Sequence, residues 1–96
     1  MKFDILVTRH KSLRDVLLER GVEVSEIKSH ISSEDEIQDK SVVGILPLHL
    51  AARAKEVCVP TLSLSPEDRG RELTYEELKK KLVDLRVYKV KEVRKL

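Results

Sequence analysis

Residues 3–21 read FDILVT, then RH, then KSLRDVLLER, then G, and the hydrophobic period changes between the first piece and the third. Phe3 to Thr8 is a short, almost continuous run of apolar strand formers, as in a strand buried on both faces of a parallel sheet. Lys11 to Arg20 places Leu13, Val16, Leu17 and Leu18 on one helical face with charges opposite, and Ser12 stands where it could cap the start. Gly21 follows at once, as expected just past a helix end. Strand, two-residue turn, helix and glycine stop together make the first half of a β-α-β unit.

The same alternation repeats along the chain. Val22 to Ile31 (VEVSEIKSHI) alternates with period two and predicts a second strand, and the acidic stretch Ser32 to Lys40 predicts a loop or a single helical turn. Ser41 to Leu46 (SVVGIL) is another buried-strand run, and Pro47 suits the first position of a helix over Leu48 to Glu56. Val57 to Leu64 predicts a strand in which Pro60 argues for a sheet edge or a strand entrance. Ser65 to Arg71 is a loop. Thr74 and Glu77 form a capping-box pattern opening a helix over Tyr75 to Leu85, and Arg86 to Val93 alternates as a half-exposed strand. Strands alternating with helices predict a single α/β domain over residues 1–96, a small Rossmann-like three-layer arrangement with a mostly parallel sheet flanked by helices.

Composition narrows the class. Hydrophobic residues are 41% of the 96, enough for one core, but aromatics are only 3%, so the packing is aliphatic. Charged residues reach 38%, well above the ~25% of an average domain, which points to an ion-paired surface and a heat-loving source. The net charge of +2 does not by itself argue for duplex nucleic acid, although Arg86 to Lys95 is locally basic. Cys58 is the sole cysteine, which excludes an intrachain disulfide and a thiolate metal cluster within one chain. No apolar run approaches the ~20 residues that span a bilayer. Met1 to Val7 is too short for a secretory core and contains Asp4, so the sequence predicts a cytoplasmic protein.

In an open parallel sheet, ligands bind beyond the carboxyl ends of the strands. Three segments are expected there: Thr8-Arg9-His10, Gly44-Ile45-Leu46-Pro47, and Ser63 to Glu72. Arg9 offers a fork of donors suited to phosphate, and His10 can move protons near neutral pH. His49, one turn into the second helix, would face an anion at that helix's amino end. Arg69 and Arg71 flank Gly70 in a loop and could clamp phosphates, with Glu72 beside them; Thr8, Ser63 and Ser65 supply hydroxyls. His30 ends a predicted strand and reads as structural. The three histidines lack the close spacing of a metal motif, and no G-x-G-x-x-G or G-x-x-x-x-G-K-[ST] occurs, so neither a metal nor a cofactor is expected. Thr8-Arg9-His10 is not the Arg-His-Gly of histidine phosphatases, because Lys11 replaces the glycine.

Four blocks in register carry a resemblance. Val7-Thr8-Arg9-His10, Gly44-Ile45-Leu46-Pro47-Leu48-His49-Leu50-Ala51-Ala52, Leu62-Ser63-Leu64, and Arg69-Gly70-Arg71-Glu72-Leu73-Thr74 with Glu76-Glu77-Leu78 follow one another from Val7 to Leu78. Together they resemble a small single-domain Csx group of CRISPR-associated proteins, encoded beside type III systems and considered ring nucleases. The departures are Thr8 where serine is usual, Ile45 in place of threonine, and His49 in place of asparagine. The resemblance implies cleavage of a cyclic oligoadenylate alarm signal, with cyclic tetra-adenylate as the expected substrate. It also implies a homodimer whose two-fold symmetry suits such a ring. The implied chemistry is metal-independent attack of a substrate ribose 2′-hydroxyl on the adjacent phosphate, leaving a 2′,3′-cyclic phosphate. Arg9 would hold the phosphate beside the helix end at Pro47. His10 or His49 would transfer protons, and Arg69 and Glu72 would shape the site. Two other readings stay open: a binding protein that sequesters the ring without cutting it, and a nucleic-acid-binding accessory using the basic carboxyl-terminal strand.

Overall fold

The computed structural model describes residues 1–96. Five strands form one sheet in the order β2-β1-β3-β4-β5. They are β1 (Lys2–Val7), β2 (Glu23–Lys28), β3 (Ser41–Gly44), β4 (Glu56–Leu62) and β5 (Leu82–Tyr88), with helices α1 (Lys11–Glu19), α2 (Leu48–Ala51) and α3 (Tyr75–Lys81). The first four strands are mutually parallel and β5 runs antiparallel to β4. The predicted Rossmann-like layering is therefore present, with its order reversing at β1, which lies between β2 and β3.

Alternation along each buried strand feeds two cores. Leu6, Val43 and Cys58 turn to the face covered by α1 and α3, where they join Leu13, Val16, Leu17, Leu73, Leu78 and Leu82. Ile5, Val42 and Val57 turn the other way and meet Ile37, Ala51 and Ala54. Aliphatic side chains fill both centres, with Leu6, Leu17, Val42, Val43 and Ile37 wholly buried, and Phe3 is the buried aromatic of the first core.

Capping sets where α1 ends and where α3 begins. The α1 helix closes with the amide of Gly21 donating to Leu18 O and that of Val22 to Leu17 O, a paired closure that requires the left-handed backbone of Gly21 (φ +93°). Its amino end is capped in position by His10 rather than Ser12, without a side-chain hydrogen bond. The capping box of α3 is formed: Thr74 Oγ1 accepts from Glu77 N, and Glu77 returns a carboxylate to Thr74 N. The acidic Glu34–Glu36 stretch is a single 3-10 turn, also boxed, by Ser33 and Glu36.

Four expectations are corrected. The second helix covers four residues rather than nine, because the chain turns back at Ala52 and Lys55 N donates to Lys40 O on the way into β4. Pro47 is its N-cap, with extended ψ, not its first helical residue. The third helix stops at Lys81, and Leu82 to Leu85 belong to β5, since burying Leu82 and pairing with β4 outweighs continued helical propensity. Pro60 does not mark an edge: it is buried in β4, opposite Leu85. The ladder to β3 ends two residues earlier at Cys58, so the missing N–H of Pro60 leaves no β3 partner unserved.

Candidate functional site

The order reversal creates the site. Parallel register aligns Val7 with both Lys28 and Gly44, so the segments leaving β1, β2 and β3 emerge side by side. Two local features hold them close. Thr8 N donates to Lys28 O at 3.0 Å, carrying the β1 ladder one residue into the turn. Gly44, at φ +143°, lets the β3 backbone approach β1 so tightly that a Cβ there would stand 2.5 Å from the Val7 carbonyl oxygen.

Beyond these strand ends lies a cavity of about 410 Å³. Thr8, Arg9, His10, Ser29 and His30 supply its polar wall, and Val7, Leu13, Ile31, Ile45, Leu46, Pro47 and Leu50 supply the rest. The lining therefore contains three basic side chains and no carboxylate. Such a surface suits an anion with a substantial apolar or aromatic body.

Thr8 shapes the turn as well as lining it. Its Oγ1 accepts from His10 N at 3.1 Å, which leaves its hydroxyl proton free to donate. The His10 ring meets Glu72, with Nδ1 and Oε1 3.4 Å apart, and Nε2 has no protein partner. Glu72 thus lies beside the cavity through His10 rather than in its wall. Both side chains are more than half exposed, so the contact orients the ring more than it stabilises the fold.

The other expected residues separate. His49 lies outside this cavity and instead lines a second one, of about 300 Å³, with Leu48, Ala52, Val90, Lys91 and Glu92. Because α2 has one turn, its end offers no sustained macrodipole for an anion. Ser63 and Arg69 are exposed and stand apart from the main cavity. The Arg71 guanidinium is already engaged by Glu77 and, at 3.1 Å, by Asp68. Asp68 is buried and also meets Lys81, while accepting from Ser65 N at 2.9 Å. Lys81 foremost holds the Asp68 carboxyl well below its usual range, and Arg71 foremost pulls Glu77 to about 2. This cluster secures the loop before α3 and holds the Arg71 guanidinium against two carboxylates.

Sequence reasoning missed Ser29, His30 and Ile31. Alternation carried β2 to Ile31, whereas pairing ends at Lys28 and turns the next three residues into a cavity wall. The available signal was position: Ser29-His30 follows β2 as Arg9-His10 follows β1. Ser29 Oγ and His30 Nδ1 lie 3.4 Å apart. No three His, Cys, Asp or Glu side chains gather as metal ligands, and no helix is long and apolar enough to cross a membrane.

No curated protein and no solved structure matches the chain. A family model does, described as "Putative CRISPR-associated protein (Cas_VVA1548)", over residues 5–91. That match takes in all five strands apart from the first residues of β1, as well as the whole cavity wall. The chain belongs to this CRISPR-associated family.

Proposed function

We propose that this CRISPR-associated protein is a metal-independent ring nuclease that cuts a cyclic oligoadenylate, foremost cyclic tetra-adenylate, and so ends type III antiviral signalling in the cytoplasm. The observation that carries the reading is the cavity wall in which Arg9, His10 and His30 converge without any carboxylate. Family membership and the resemblance of the four sequence blocks support the choice of ligand. An oligoadenylate supplies both features the wall suits, phosphate charge and flat apolar bases.

The reaction needs alignment and proton transfer. A substrate 2′-oxygen forms a bond to the adjacent phosphorus as the bond from phosphorus to the 5′-oxygen breaks. The 2′-hydroxyl proton passes to a base, and a second proton reaches the departing 5′-oxygen from an acid. Arg9 binds the phosphate and stabilises the charge that builds on it. His10, oriented by Glu72, and His30, on the neighbouring strand end, serve as the proton-transfer pair. With no carboxylate in the wall, charge stabilisation falls to Arg9. His49 lines the other cavity and takes no part in this reading.

The test is incubation of the purified protein with radiolabelled cyclic tetra-adenylate, with and without EDTA, and separation of the products. Linear products ending in a 2′,3′-cyclic phosphate, formed equally in EDTA, are expected. Intact ligand retained by the protein would make it a sequestering protein. Neither binding nor cleavage would overturn the choice of ligand.

A further inference from the structure

The two histidines of the cavity wall are held in different ways. The His10 ring is met by Glu72 from a distant part of the chain, whereas the His30 ring meets only its neighbour, 3.4 Å from Ser29 Oγ. His30 is therefore placed by its backbone. That backbone has few bonds of its own: β2 pairing ends at Lys28, and no backbone hydrogen bond reaches Ser29, His30 or Ile31. Yet all three residues line the cavity. Ile31 leans on the second core, which turns the span inward without fixing its path. The fixed points at its two ends decide the rest.

A single carboxylate joins those ends. Glu36 Oε2 accepts from Ser32 N at 2.7 Å and from Ser33 N at 2.9 Å, and its Oε1 accepts from Lys28 Nζ at 2.9 Å. Lys28 directly precedes the span and Ser32 directly follows it. Both sides of the bridge are anchored. Lys28 is the last paired residue of β2, and its carbonyl accepts from Thr8 N at 3.0 Å. Glu36 precedes Ile37, which is wholly buried in the second core. The Lys28 and Glu36 side chains are 24% and 26% exposed, so water competes less for this contact than for an open surface pair.

We propose that Glu36 is a positioning residue for His30: by bridging Lys28 to the amides of Ser32 and Ser33, it fixes the span that carries His30 into the cavity wall. The part His30 plays in proton transfer rests on the nuclease reading; the fixing of the span does not. A misplacement of about 1 Å can cost a reacting group up to ~10²-fold in rate, so the bridge matters beyond the fold itself.

Two variants cut the bridge from opposite sides. In Glu36→Gln the amide oxygen still accepts from Ser32 N and Ser33 N, but the amide nitrogen faces the Lys28 ammonium, donor against donor. Lys28→Met leaves Glu36 on its two amides and removes the other partner. Glu26→Gln is the control: Glu26 also meets Lys28, at 3.3 Å, but it lies within β2 and bridges nothing. On each whole chain, at a temperature where all are folded, nitrogen relaxation gives amide order parameters. Single-turnover cleavage of cyclic tetra-adenylate gives the rate and the half-saturating concentration.

Order parameters over residues 29–31 should fall from about 0.85 to below about 0.6 in both bridge variants and stay unchanged in the control. Maximal rates should fall about 3- to 10-fold in both, with half-saturation within about twofold, because lost placement affects proton transfer rather than binding. In a His30→Ala background, Glu36→Gln should change the rate no further. The two variants alter local charge in opposite senses, so effects of opposite sign would make the pair a source of field and overturn the inference. Unchanged order parameters, or a rate loss that persists without His30, would overturn it equally. A wild type that does not cleave, with order parameters that still fall in both variants, would overturn the nuclease reading and uphold the bridge.

Discussion

Glu72 Oε1 lies 3.4 Å from Nδ1 of His10, 62 residues away along the chain, and so ties the loop before α3 to the turn after β1. A carboxylate on one ring nitrogen fixes the tautomer and the direction of the other. His10→Ala is expected to lower the cleavage rate by roughly 10²-fold or more, the usual worth of a positioned proton-transfer group. Glu72→Gln should cost less, about 3- to 10-fold, because it removes orientation rather than the transferring group. The double variant discriminates: the effect of Glu72→Gln should vanish in the His10→Ala background. Equal effects in both backgrounds would separate Glu72 from His10.

Arg9→Ala should reduce turnover about 10²- to 10³-fold, as removal of one charge-stabilising donor does. Arg9→Lys should recover only part of it, since a lysine lacks the planar fork.

The two remaining histidines divide the cavities between them. His30 lines the cavity with Arg9, and His49 lines the one beside the carboxyl-terminal tail. His30→Ala is expected to cost at least ~10-fold in rate, and His49→Ala to leave the rate within about twofold. Single-turnover cleavage measured across pH on both variants checks this, and the reverse ranking would move the chemistry to α2.

How much of this was legible follows from what each element rests on. Phe3 to Gly21 was read nearly to the residue, because a local period and a local cap specify β1 and α1. The Thr74 capping box placed the start of α3 for the same reason. Its end was not legible: Leu82 to Leu85 continue a helical pattern, and only pairing with β4 makes them strand. The turn that brings Arg9 and His10 to the cavity wall was legible because the strand before it ends abruptly. His30 was missed because alternation continues past the last paired residue of β2. The partners of Arg71 were not legible, because Asp68 and Glu77 are ordinary charges in sequence and gather round it only when the loop folds.

Acid should loosen the protein in a defined window. Lys28 foremost, with the amides of Ser32 and Ser33, pulls Glu36 to about 2, and Arg71 with Thr74 does the same for Glu77. Both values are depressed from the ordinary 4.5. Their contribution to stability is therefore full above pH about 4.5 and is lost as pH falls toward 2. Tm measured from pH 6 to pH 2 should fall across that window, and Glu36→Gln with Glu77→Gln should flatten the slope. An unchanged slope in the double variant would place the acid sensitivity in other carboxylates.

The approach of β3 to β1 sets the cavity's shape, and Gly44 permits it. At φ +143° any other residue is strained, at a cost of order 1–3 kcal/mol. A Cβ would in addition stand 2.5 Å from the Val7 carbonyl oxygen, a backbone atom held in the sheet that cannot swing aside. Gly44→Ala must therefore separate β1 from β3 at their carboxyl ends or distort both. The expected loss is about 3 kcal/mol, roughly 10–20 °C in Tm for a domain of this size. Because Thr8 to His10 and Leu46 to Pro47 leave from these two strand ends, activity should fall further than the folded fraction does. Gly21→Ala is the useful control: its φ of +93° also carries strain, but open space surrounds it and it lies far from the cavity, so it should cost stability without that extra loss. A Gly44→Ala variant with wild-type Tm would mean that the strands part freely and that their close approach does not hold the cavity.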